Sequence, residues 1–373
     1  MKKYFIIASL LLCISYTSNS QSKKLLSVAI AGLSHDHVYL MMQHYKKGDV
    51  NLVGIAESNK GLITKFEKNF HIPDSLFYPD LKTLLAHIRP EVVMAFNPIS
   101  EHVNVVKICA PGHVNVMVEK PLATTVKDAE TIAMLAKQYH IQVLTDYETE
   151  WYATNQNIYK QVKANAIGNV VKMIAHDGHQ GPKEIGCSNY FLSWLTDPVK
   201  NGAGALNDFG CYGANLFTWL MDNQMPISVS SVTHQIKPNI YPKVDDDATI
   251  LVEYPHATGI IEASWNWPFG IKDWEVFGKT GYLQAVDGNT LRTRNDHTGY
   301  EIQKLEASST PYQDYVPYVT AVLRGEINPG DDLSSLKNNV IVVKILNAAK
   351  ESAKTGKKIM LSNFSYKVHN VFR

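Results

Sequence analysis

Short apolar runs alternate with amphipathic stretches along the first part of the chain. Residues 25–31 (LLSVAIA) have the pattern of a buried strand and stop at Gly32. Residues 37–45 have helical spacing, and 51–56 (NLVGIA) form a second strand-like run. A helix is predicted at 81–87, a strand at 91–96 (EVVMAF) before Pro98, and a helix at 103–110 that stops at Pro111-Gly112. Residues 114–118 (VNVMV) form the next strand. Thr125-Val126-Lys127-Asp128 has capping-box spacing and opens a helix over 126–139, followed by a strand at 141–144. This alternation predicts an α/β domain over residues 24–148, a Rossmann-type doubly wound parallel sheet.

The rhythm changes near residue 150. Residues 170–175, 228–235, 248–254, 259–265 and 273–277 form longer runs, several alternating apolar and polar positions as in a sheet with one covered face. An apolar helix at 214–221 interrupts them, and an amphipathic helix at 340–353 follows. These features predict a second, α+β domain over residues 149–364 with a largely antiparallel sheet.

Composition narrows the function classes. Thirty-six Lys+Arg against 35 Asp+Glu give a net charge of +1, which argues against a nucleic-acid binder. The first residues carry a separate signal. Met1-Lys2-Lys3 is basic, residues 4–16 (YFIIASLLLCISY) are nearly all apolar, and a small polar stretch leads to Gln21. That layout predicts a signal peptide over 1–20, cleavage before Gln21 and an exported, periplasmic protein with no membrane anchor. Cys109, Cys187 and Cys211 then remain, an odd and widely spaced set expected as buried free thiols.

The first strand-to-helix turn reads Ala31-Gly32-Leu33-Ser34-His35-Asp36-His37. A dinucleotide fold uses G-x-G-x-x-G here, for a tight turn and close approach to the pyrophosphate. Gly32 keeps the first place, while Ser34 and His37 occupy the others. Ser34 is expected to cap the helix whose N-terminus holds the phosphates. Glu57 ends the second strand, 25 residues after Gly32, where an acid accepts from the adenine ribose hydroxyls and repels a 2′-phosphate. NAD is therefore favoured over NADP.

Glu119-Lys120-Pro121 follows the strand VNVMV and precedes a capped helix. It resembles the E-K-P signature of the Gfo/Idh/MocA family of sugar and cyclitol oxidoreductases. Asn97-Pro98-Ile99-Ser100-Glu101-His102 resembles that family's T-P-N-x-x-H turn, and Ala110-Pro111-Gly112-His113-Val114 its lead into the signature strand. Gly202 to Tyr212 (GAGALNDFGCY) resembles its G-G-G-x-L-x-D-x-G-x-H segment, and Ser352 to Lys357 (SAKTGK) its C-terminal S-A-x-T-G-K. The resemblance implies that Asn97, Pro98, His102, Glu119 and Lys120 bind cofactor, and that Lys120, Asp208 and Tyr212 are catalytic. It also implies a homo-oligomer. Three departures stand out: the reduced glycine turn, Asp146-Tyr147-Glu148 ahead of a usual Arg, and Tyr212 for the usual His.

Oxidising a carbinol needs a hydride acceptor and a base for the hydroxyl proton. The expectation is that Lys120 lowers the Tyr212 pKa so that the two form an acid/base pair, with Asp208 orienting Lys120 or a sugar hydroxyl. His176-Asp177-Gly178-His179 lacks a third firm metal ligand, so no metal is predicted and His179 is taken as a substrate contact. Asp245-Asp246-Asp247 is expected as a solvated strand edge. Trp265 and Trp267, alternating on a predicted strand, are expected to face one side, either offering aromatic faces to a sugar or glycoside or packing into a core or interface. Export calls for NAD held tightly and reset within each cycle. That requirement admits a redox-neutral NAD-dependent glycosidase or lyase, or a cofactor-free carbohydrate-binding protein, beside the leading sugar oxidoreductase.

Overall fold

A computed structural model describes residues 24–295 and 297–361; the leader predicted over 1–20 lies outside the described residues. Six strands form the first sheet: β1 Leu26–Ala31, β2 Val50–Ala56, β3 Phe77–Tyr78, β4 Val92–Ala95, β5 Asn115–Glu119 and β6 Val143–Asp146. Their spatial order is β3-β2-β1-β4-β5-β6 and every pairing is parallel. The order reverses beside β1, so a crevice opens between the carboxyl ends of β1 and β4, where doubly wound sheets bind ligands. Helices cover both faces, which explains why β1 is apolar but for Ser27 and β4 apolar throughout. Thr125 caps the helix Val126–Tyr139 through the Asp128 N–H, as its spacing predicts. The helix Lys60–Phe70, capped by Asn59, was not anticipated.

Nine strands form the second sheet: β7 Val170–Gly178, β8 Ser228–His234, β9 Asp247–Glu253, β10 Thr258–Ser264, β11 Ile271–Gly278, β12 Gly281–Ala285, β13 Thr290–Asn295, β14 Glu301–Lys304 and β15 Ile359–Met360. The order is β14-β13-β12-β11-β7-β10-β9-β8-β15, antiparallel throughout except for β7 with β10. The helix Gly210–Leu220, buried along its whole length, packs on the inner face. A Cβ at Gly213 would lie 2.8 Å from Ile261 and 3.1 Å from the Ala175 Cβ, so the small residue lets helix and sheet approach. The helix Leu336–Thr355 packs against both domains, touching the helix Val126–Tyr139 and the second sheet.

Two expectations are corrected here. Cys109 and Cys211 are buried free thiols, but Cys187 is only half-buried. Asp245 and Asp246 are not a solvated edge. The Asp245 carboxylate accepts the Gly204 and Leu206 N–H groups at 2.8 and 2.7 Å, and Asp246 accepts those of Ile236 and Lys237, both at 2.7 Å. Unpaired backbone donors at these loop ends draw both carboxylates inward.

Candidate active site

Gly32 follows β1 with φ +79°, and a Cβ there would meet the Asn97 Cβ at 2.8 Å. Only glycine satisfies both the left-handed backbone and the close approach. The rest of the turn is held by its own protein. Ser34 and His35 donate their N–H groups to Phe96 O at 3.1 and 2.9 Å, and Leu33 donates to Glu57 Oε2 at 2.9 Å. Ser34 therefore does not cap the helix Val38–Lys47, whose N-cap is His37 and has no side-chain bond. With those donors engaged, the turn has fewer free backbone N–H groups to offer a pyrophosphate.

A cleft of about 410 Å³ opens over this turn, lined by Gly32, Ser34, Glu57, Asn97 and Pro98 from the first domain and by Trp194 from the second. His37 and His102 stand apart from this lining. The His102 ring is buried in the helix His102–Cys109 and bonds Leu122 O through Nδ1 at 3.2 Å, fixing the loop after the E-K-P segment. His37 turns to Glu119, its Nδ1 3.0 Å from Oε2, with His35 Nε2 at 3.7 Å from the same oxygen. Burial disfavours the Glu119 charge, but the two histidines and Lys120 outweigh it and bring its pKa down to about 2.

Among the described residues, His35, His37 and Glu119 are the group whose ligand atoms approach closely enough for a metal, within 4.8 Å. The His37 N–H donates to His35 Nδ1 at 3.1 Å, which leaves the His35 proton on Nε2, facing Glu119. The trio is a buried carboxylate held by imidazole donors. The glycine-only turn, the Glu57 carboxylate at the end of β2 and the buried, unpartnered Asn97 Oδ1 suit the polar edges of NAD.

Lys120 leaves the end of β5 and crosses to the second domain, where Nζ donates to Asp208 Oδ1 at 2.6 Å and Asp208 O at 2.9 Å. Asp208 Oδ2 accepts the Trp265 Nε1–H at 2.9 Å. Burial opposes both charges, but their mutual attraction prevails, so Lys120 titrates above its usual range and Asp208 below. Tyr212 sits across a break: the helix Ala205–Asp208 ends, and Gly210–Leu220 begins beyond Phe209. The Lys120 and Lys272 ammonium groups lie 4.9 and 4.7 Å from its ring centroid. The expected lowering of its pKa is overturned. Burial dominates, Glu148 adds to it, and the phenol is pushed well above its usual range.

Three groups complete the site without having been singled out for it. Lys272 on β11 pairs with Glu148, which also accepts the Tyr152 hydroxyl at 2.7 Å. Asp177 on β7 is the register partner of Lys272; it is buried, and its Oδ2 lacks a partner. Burial raises its pKa well above the usual carboxylate value despite Lys272. The only sequence signal for Glu148 was the unusual Asp146-Tyr147-Glu148 run; Lys272 and Asp177 lie 95 positions apart and meet through strand register. His179 follows β7 and accepts the Gly181 N–H at 2.8 Å through Nδ1. It lines a second cavity, of about 490 Å³, with Lys272 and Tyr152.

The two tryptophans do not form a shared sugar platform. β10 ends at Ser264, so strand alternation does not extend to them. Trp265 is fully buried and supports Asp208, while Trp267 is half-buried and donates its backbone N–H to His179 O at 3.2 Å.

The folds and the lysine at their seam define a two-domain dinucleotide-binding oxidoreductase class. Residues 26–147 match the oxidoreductase family with an NAD-binding Rossmann fold, and residues 155–284 match the GFO/IDH/MocA C-terminal domain. The chain belongs to the Gfo/Idh/MocA family, and its cofactor is NAD.

Trans-1,2-dihydrobenzene-1,2-diol dehydrogenase of Xenopus tropicalis is 23% identical over 208 residues, covering 55% of this chain and 58% of that protein. The rhizopine catabolism protein MocA of Rhizobium meliloti is 23% identical over 52% of this chain and 58% of that protein. The chain thus spans somewhat over half the length of these curated relatives. In fold it is similar to an inositol dehydrogenase homolog complexed with NAD+ from Azotobacter vinelandii, with TM-score 0.78, 18% identity and coverage of 91% of this chain and 98% of that one. It is likewise similar to an aldose-aldose oxidoreductase from Caulobacter crescentus, with TM-score 0.76, 18% identity and coverage of 91% and 100%.

Proposed function

We propose that this protein is an exported, NAD-dependent oxidoreductase that transfers hydride between a carbon of a sugar or sugar derivative and a tightly held cofactor. The observation that carries this reading is Lys120, a buried ammonium that leaves the first domain, is fixed by Asp208 of the second and lies 4.9 Å from the Tyr212 ring. When bound, NAD supplies the hydride acceptor. Lys120 stays protonated and presents hydrogen-bond donors to the substrate oxygen. Such a donor stabilises charge developing there and holds the carbinol carbon in place. Tyr212 exchanges the proton of the same oxygen: the phenol gives it when a carbonyl is reduced, and the phenolate, formed beside the Lys120 and Lys272 ammonium groups, takes it back when a carbinol is oxidised, while Asp208 is the positioning residue for Lys120. The exposed Val232 and Leu251 on the outer face of the second sheet suit a homo-oligomer.

The family relationship supports the chemistry; tight retention and export are our own extension. The test is to release cofactor from freshly purified protein by acid and quantify it by mass spectrometry. Near-stoichiometric NAD is expected. Lys120→Met should keep that NAD but lower single-turnover hydride transfer by about 10²–10³-fold, the usual effect of losing one such donor. Protein that is empty and does not bind added NAD refutes the proposal.

A further inference from the structure

The second cavity has two unlike ends. Its inner wall is polar. The His179 ring stands edge-on to Phe209 at 4.8 Å, and the Lys272 ammonium lies 4.7 Å from the Tyr212 ring. Asp177, the register partner of Lys272, lies behind this wall with an uncommitted carboxyl oxygen. The outer rim offers two apolar side chains beside Asp287: Phe269 is 61% exposed and Val286 39% exposed, and both line the cavity. Phe269 sits in the segment between β10 and β11, beyond the point where Trp265 is withdrawn to hold Asp208. A large aromatic side chain left mostly in water forgoes most of its burial free energy, and at the mouth of a cavity its free face is available to a ligand. The volume, about 490 Å³, falls among cavities of roughly 300–1,000 Å³ that take drug-sized ligands and exceeds the space one pyranose ring fills.

Building on the sugar oxidoreductase reading, we infer that the substrate is a two-part molecule, a glycoside rather than a free monosaccharide. The ring to be oxidised lies against His179 and Lys272. The second unit, an aglycone or a further sugar, lays an apolar face on Phe269, as sugar faces and aromatic rings do. The inner wall suits an uncharged ring, because Lys272, the lysine that lines it, already has a carboxylate partner in Glu148.

The test is calorimetric titration of the NAD-loaded protein with D-glucose, D-galactose, D-mannose and their phenyl glycosides. At least one phenyl glycoside is expected to bind tenfold or more tightly than its free hexose. Phe269→Ala should reduce that preference to less than threefold without lowering Tm, and Phe269→Tyr should keep it. Equal affinity for hexose and glycoside overturns the inference, as does a preference that survives Phe269→Ala. NAD-loaded protein that binds none of these sugars overturns it too and leaves the cofactor assignment standing. Protein that holds no NAD instead refutes the oxidoreductase proposal, and the inference falls with it.

Discussion

Lys120 and Asp208 are buried charges that each make the other tolerable. At 2.6 Å the pair offsets a burial that would otherwise neutralise either group, and Trp265 satisfies the remaining Asp208 oxygen. Removing one partner leaves an uncompensated buried charge, which costs about 3–5 kcal/mol, whereas removing both often costs little. Lys120→Met should therefore lower stability by that amount in urea unfolding, and Asp208→Asn alone should do the same. The double variant Lys120→Met/Asp208→Asn should recover most of the loss while remaining inactive. Additive losses in the double variant would show that the two groups do not act as a pair. The same residues show what a single position in sequence can convey. The E-K-P segment pointed to Lys120 directly. The state of Tyr212 did not follow from a cation nearby, because burial outweighs two ammonium groups packed on its ring.

Elements decide which of these side chains meet. The parallel sheet was legible from its apolar runs, since strands buried on both faces have no other pattern available. Much of the second sheet was also visible as alternation, but β12, β13, β14 and the two-residue β15 were not anticipated. β13 carries Arg292 and Arg294, and β14 is exposed along its whole length. The Trp265 and Trp267 expectation failed at an element boundary, where β10 stops one residue too early. His102 shows a residue whose element changes its role. It was expected on the cofactor but is held inside the helix His102–Cys109, where burial brings its pKa down to about 4. The unfolded chain binds this proton near pH 6.5, and the native ring does not until about pH 4. Stability is therefore lost as pH falls through that window, by up to roughly 3 kcal/mol. His35, also pushed well down by burial, works in the same direction. His102→Asn can keep a donor toward Leu122 O without a titrating ring. Thermal unfolding between pH 6.5 and 4 should show a shallower fall in Tm for this variant than for the wild type. Equal slopes would remove His102 from the acid response.

At the scale of the whole molecule, the second domain does more than supply a substrate cavity; it closes over the dinucleotide turn of the first. The His35 ring lies 4.5 Å from Phe191 and 5.4 Å from Trp194, both on the helix Asn189–Leu195. Ser188, the N-cap of that helix, donates its N–H to Asp36 Oδ2 at 2.8 Å, and Ser100 donates its N–H to Lys200 O at 3.0 Å. Trp194 also lines the cleft over Gly32. The proposed tight retention predicts a role for these contacts: if NAD leaves when this segment lifts, the clasp contributes to its residence time. It also offsets a turn whose glycines have been replaced and whose backbone donors are engaged elsewhere. A hydrogen bond to a charged group contributes about 1.5–3 kcal/mol, so losing the Asp36 bond should raise the population of the lifted state by roughly 10–100-fold. Asp36→Ala should then speed NAD release at least tenfold in a stopped-flow displacement experiment, with a smaller change in association, because most differences in affinity lie in dissociation. Release at the wild-type rate would mean that the segment does not gate the cleft and that NAD is held by the first domain alone.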